Sequence, residues 1–138
     1  MENFVSEEIA KKEVSKWLDH KNVSQRKREK KETVQQIETI TDAICDGDLV
    51  LDKDFNLVQS LRNPVKDNDG KVVLSKLTFK PRLLLEDVES HLMNVKATNT
   101  IGMLAAYTSA LTGENSSLLK KIDTDDNKTA QAIVMFFL

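Results

Sequence analysis

The sequence predicts an α+β fold: an amino-terminal helical pair, a small antiparallel β-sheet of about three strands, and a C-terminal cluster of three to four helices. Apolar residues recur at helical spacing over 9–18 and 34–45, alternate with a period of two over 48–80, and return to helical spacing over 84–138. Turn-forming stretches, DKD at 52–54 and DNDG at 67–70, divide the middle segment into strands. A chain of 138 residues, 40% hydrophobic and 30% charged, suits one domain over 1–138, with residues 1–46 as a helical extension.

Residues 6–20 form the first expected helix, with Ile9, Ala10, Val14, Trp17 and Leu18 on one stripe. A second helix is expected from Ser24 to Asp46, in two unlike halves. SQRKREKKE has no apolar residue to bury, whereas Val34, Ile37, Ile40, Ile44 and Cys45 share an inward face. Gly47 provides a left-handed stop.

Strands at 49–51 and 55–61 form a hairpin over a three-residue loop, and after Asn63-Pro64 the DNDG turn leads into the next strand. In KVVLSKLTFK, residues Val73, Ser75, Leu77 and Phe79 share one face, and Pro81 closes the sheet region. The helices that follow offer Leu85, Val88 and Leu92, then Ile101, Leu104, Ala105, Thr108 and Leu111, to a core. Gly113 ends the longer of these helices, and Gly102 inside it is expected to tolerate alanine. Asp123 caps the last helix, and Asp126 adds charge near its positive end. There Ala130, Ile133, Val134 and Phe137 read as core, leaving Met135, Phe136 and Leu138 as a partner-binding surface.

Several function classes find no support. One cysteine, Cys45, and two histidines on separate segments, His20 and His91, make no zinc set; a Cys45–His dyad is a minor reading beside that of a core cysteine, the usual role of a lone helical cysteine on an apolar face. No glycine-rich phosphate loop occurs. In DNDG, placing Gly70 at position six of a calcium loop puts Lys76 where a bidentate glutamate belongs. The acidic turns therefore read as turn and cap formers. No catalytic, cofactor-binding or metal residue is expected, and the chain does not read as an enzyme. The amino terminus lacks the apolar run of a signal peptide, which gives a cytoplasmic expectation. Ala130 to Leu138 spans nine residues, against about 20 for a membrane-crossing helix, so no membrane is expected.

The run from Lys21 to Glu32 carries six basic residues and two acids. Arg26, Lys27, Arg28, Lys30 and Lys31 suit contact with an anionic partner, and a nucleic-acid-binding module is one reading. A solvated helix face, with Glu29 and Glu32 pairing to nearby cations, carries more weight, because the chain is net acidic and no aromatic residue is interleaved for base stacking.

The order of phrases over residues 71–138 resembles the tail assembly chaperone families of long-tailed bacteriophages. The matching positions are Leu77, Thr78, Pro81 and Asp87, then Leu111, Thr112, Gly113, Leu118, Ile122, Asp123, Asp126 and the pair Phe136-Phe137. The amino-terminal basic extension is not part of that pattern. The resemblance implies a non-enzymatic factor in the host cytoplasm. It would hold the apolar helices of the tape measure protein until tube subunits polymerise around it, with tube subunits and self-association as further contacts. The alternative is a structural baseplate or hub component retained in the virion.

Overall fold

The computed structural model describes residues 5–138; the first four residues of the segment weighed against a signal peptide lie outside the described residues. Helix α1 (Glu7–His20) starts where the Ser6 hydroxyl accepts the Ile9 N–H at 3.2 Å. It buries Ala10, Val14, Trp17 and Leu18. Ile9, expected on that stripe, is exposed: it lies about 100° around the helix from Ala10, beyond the edge of the packed face.

The single helix expected from Ser24 to Asp46 is two, α2 (Gln25–Arg28) and α3 (Lys31–Cys45), parted at Lys30, whose backbone is extended. No residue of α2 is buried. Arg28 instead folds back, donating from Nε to the Val23 carbonyl at 3.0 Å and from Nη2 to Asp19 at 2.7 Å. The basic run is thereby tied to the end of α1. Helix α3 buries Thr33, Ile40, Thr41, Ala43 and Ile44, with Ile37 and Cys45 half-buried and Val34 exposed. Thr41 enters the core because its hydroxyl donates to the Ile37 carbonyl at 2.7 Å, which removes the cost of burying it. The helix closes on a Schellman pair: Gly47 N–H to Ile44 O at 3.1 Å and Asp48 N–H to Ala43 O at 2.9 Å.

Strands β1 (Leu49–Leu51), β2 (Leu57–Lys66) and β3 (Val72–Phe79) form one antiparallel sheet in that order. The first connection is longer than expected. Asp52 Oδ1 accepts the N–H groups of Asp54 and Asn56, both at 2.9 Å, so the loop runs to Asn56. β2 does not stop at Leu61 either, but runs through Asn63-Pro64 to Lys66. Ser60 pairs with Lys76 and the next pair is Val65 with Leu74, so Pro64, which has no N–H for the ladder, sits in a bulge. The bulge also shifts the alternation on β3. Leu74 joins Leu77 and Phe79 on the buried face, and Val73 and Ser75, expected there, are exposed.

Helices α3, α5 and α7 cover the sheet. Helix α5 (Thr100–Thr112) meets β3, α7 (Thr124–Val134) meets β2, and α3 meets β1. The short α4 (Leu85–Leu92) packs on α5 and buries only Val88; Leu85 is exposed and Leu92 half-buried. α5 is apolar almost all round, which hides its stripe. Gly102, Ala106, Ser109 and Ala110 are buried beside the expected Thr108 and Leu111, while Leu104 and Ala105 are half-buried and Ile101 is exposed. After α6 (Ser116–Leu119), the Asp123 carboxylate accepts the Asp125 N–H and opens α7.

The chain then tightens into a 3-10 turn, Met135–Phe137. Each residue of such a turn advances about 120° rather than 100°, and the two phenylalanines exchange the roles expected of them. Phe136 is buried, 6% exposed, and Phe137 is half-buried.

Candidate functional site

The basic run and the apolar C-terminal end, far apart in sequence, meet at one corner of the fold. Trp17 of α1 is its floor. Phe136 stands edge-on to Trp17 at 5.3 Å between centroids, and Phe137 lies tilted at 6.3 Å. Lys21, just past α1, sets its ammonium 3.4 Å from the Phe137 centroid, and Lys27 Nζ is 6.0 Å from the ring of Phe136. Burial, then the nearby charges of Arg82 and Lys27, bring Lys21 down to about 8. The ring face of Phe137 favours the cation and works against that shift. Lys21, Lys27 and Arg82 thus concentrate positive charge beside the half-buried ring of Phe137, an arrangement suited to a partner that presents a carboxylate next to an apolar side chain.

The sequence-selected residues divide around this corner. Phe136 is inside it and so is corrected from exposed surface to core. Leu138 is exposed beyond the turn. Met135 faces another side, lining a surface depression between α3 and α7 with Gln35, Thr39 and Ala132. Of the basic set, Lys27 belongs to the corner, Arg28 is committed to Asp19 and Val23, and Arg26, Lys30 and Lys31 are exposed. Glu29 accepts from Gln25 at 3.4 Å, and neither Glu29 nor Glu32 forms the ion pairs expected of it among the described residues.

A second surface includes Leu85 and Ile101, which the sequence pattern assigns to a core. Leu84, Leu85, Met93 and Ile101 stand exposed in and around α4 and the start of α5; Leu85 is 81% and Ile101 76% exposed. Ile101 also lines a groove of 280 Å³ with Leu104, Leu119 and Ile122, between α5 and the α6–α7 connection. Its signal in the sequence was the excess of apolar residues on α5, more than one buried stripe takes up.

The nucleophile and metal candidates stay apart. His20 stacks on Phe55 with ring centroids 4.0 Å apart, and His91 is exposed at the end of α4. Burial raises the Cys45 thiol, and Asp42, Glu7 and Asp46 raise it further, the opposite of what an activated nucleophile needs. The aspartates of the acidic turns have positive roles: Asp67 Oδ1 accepts the Asp69 and Lys71 N–H groups, as Asp52 does in its own loop. Among the described residues, no helix is long and apolar enough to cross a membrane. Set against protein-family models, curated proteins and solved structures, the chain finds no match in any of the three.

Proposed function

We propose that this protein is a non-enzymatic assembly chaperone of a phage tail, which keeps apolar helices of the tape measure protein from aggregating in the host cytoplasm. The observation that carries the reading is the set of exposed apolar residues in and around α4 and the start of α5, together with the groove that Ile101 lines. An amphipathic helix buries its apolar face in such a groove through side chains at i, i+3, i+4 and i+7. The resemblance over residues 71–138 supplies the identity of the partner. Lys21, Lys27 and Arg82 give a second contact, for carboxylates flanking the apolar face of that helix.

Coexpression with a tape measure fragment containing its apolar helices tests the proposal. The fragment should remain in solution and co-purify with the chain. Leu85→Asp combined with Ile101→Asp should abolish capture and leave thermal stability unchanged, because both side chains are exposed. Equal solubility of the fragment with and without the chain would rule the proposal out.

A further inference from the structure

On the side of the molecule formed by α3, β2 and the first turn of α7 lies a cleft of 240 Å³, against about 30 Å³ for one water in the liquid. It is walled by five aspartates and only two cations, Arg62 and Lys128. Three of the aspartates are already engaged. Asp126 accepts the Arg62 and Asn63 backbone N–H groups at 2.9 and 3.0 Å, and the Arg62 guanidinium binds Asp48 at 2.7 Å and Asp46 at 3.4 Å. Asp125 has only a loose, exposed contact with Lys128 at 3.8 Å, and Asp42 has no ion pair among the described residues. The cleft therefore keeps uncompensated negative charge.

Gln59 supplies the second, independent observation. It lines the same cleft and is 1% exposed. Its Nε2 donates to the Asp126 carbonyl at 2.9 Å, which fixes the orientation of the amide. Its Oε1 is then a buried acceptor with no hydrogen-bond partner. A buried acceptor left unmade is costly, so this atom calls for a donor. Charge on the surrounding walls says that the donor should be a cation. Among the described residues no three metal-ligating side chains converge, which favours a group carrying N–H bonds over a bare metal ion.

We propose that this cleft binds an organic cation bearing N–H donors, an ammonium or guanidinium group. One N–H donates to Gln59 Oε1, which the free cleft encloses and a small shift of its wall must present, and the charge is balanced by Asp42 and Asp125. The chemistry is shared by the tip of a lysine or arginine side chain on a partner protein and by a free polyamine. The site is separate from the groove beside Ile101 and does not depend on the chaperone reading.

The test is a titration of the full chain followed by ¹H–¹⁵N NMR, with capped arginine, capped lysine and spermidine as probes and capped leucine as the neutral control. Saturable shifts are expected at the Gln59 side-chain amide and along residues 42–48 and 125–129, with none from leucine. The tighter probe class separates a protein side chain from a polyamine. Asp42→Asn with Asp125→Asn touches exposed carboxylates outside the hydrogen-bond network, and it should weaken binding about tenfold with the spectrum still folded. Gln59→Met should weaken it to a similar degree. Shifts that rise linearly and spread over all surface carboxylates, or an affinity unchanged in the double asparagine variant, would overturn the site and leave Gln59 Oε1 to water alone.

Discussion

Asp126 carries more of this fold than its place in a helical first turn suggests. It is buried, and its two carboxylate oxygens take the N–H groups of Arg62 and Asn63, the donors that the β2 bulge leaves outside the ladder. Asp126→Ala leaves both donors without partners and should cost about 1–3 kcal/mol in denaturant unfolding. Asp126→Asn, nearly isosteric, should also destabilise, because one oxygen becomes an NH₂ facing an N–H. A neutral result for both would mean that water replaces the carboxylate at no cost. Lys21 offers a pH test. Folding lowers it from 10.5 to about 8, so between those values the unfolded chain holds more protons than the folded one. Stability from this group therefore rises with pH across that window, and its penalty is fully present below 8. Lys21→Met should raise the melting temperature at pH 7, with the gain shrinking as pH approaches 10.5. A loss of stability at pH 7 would show that the contact with the Phe137 ring outweighs burial and the neighbouring cations.

At the scale of elements, α5 and the basic run show where the sequence was readable. Gly113 has φ +76°, and a Cβ there meets no atom within 4 Å. Gly113→Val thus meets only backbone strain, about 1–3 kcal/mol. Gly102 was expected to accept alanine, and the structure reverses this. A Cβ would lie 2.6 Å from Asn99 Nδ2 and 3.1 Å from Val95 Cγ1. Asn99 is the cap of α5, accepting the Gly102 N–H at 2.9 Å. Gly102→Ala should displace it and cost about 1 kcal/mol, the ordinary value of a lost cap. Both variants should lower the urea midpoint; a neutral Gly102→Ala would mean that Asn99 caps from another rotamer. In the basic run, Arg28→Gln should destabilise by about 1–2 kcal/mol through the lost bonds to Val23 and Asp19, while Arg26→Gln with Lys30→Gln and Lys31→Gln should shift the melting temperature little. Such distinctions are invisible in the sequence, where all these residues are equally basic. The positions of α1, the sheet and α7 were legible because periodicity and caps are local properties. Bulge register and the burial of Phe136 were not, since each is decided by a residue distant in sequence: Asp126 for the bulge, Trp17 for Phe136.

Whether the amino-terminal helices belong to the same cooperative unit as the C-terminal half can be followed at the corner where Trp17 meets Phe136. Trp17, 1% exposed, is the single tryptophan, and it meets Phe136 edge-on at 5.3 Å. Such aromatic pairs contribute about 0.5–1.5 kcal/mol beyond the area they bury. Around them α1 packs on α3, and α3 in turn on α7, so the amino-terminal extension reaches the sheet's own cover. This arrangement predicts a single unfolding transition. Trp17 fluorescence reports the corner, and far-UV circular dichroism reports all the helices; in urea their midpoints should coincide. Phe136→Ala should lower both midpoints together by about 3–5 kcal/mol of stability, as loss of a buried phenylalanine does elsewhere. Met135→Asp and Leu138→Asp, at exposed positions flanking it, should leave both nearly unchanged. A fluorescence transition that precedes the dichroism in the wild type would mean that α1 and α2 are a docked extension, opening from the sheet and α3–α7 before these unfold. Phe136→Ala would then move the fluorescence midpoint alone, and the basic corner would be a surface able to open in the otherwise folded protein.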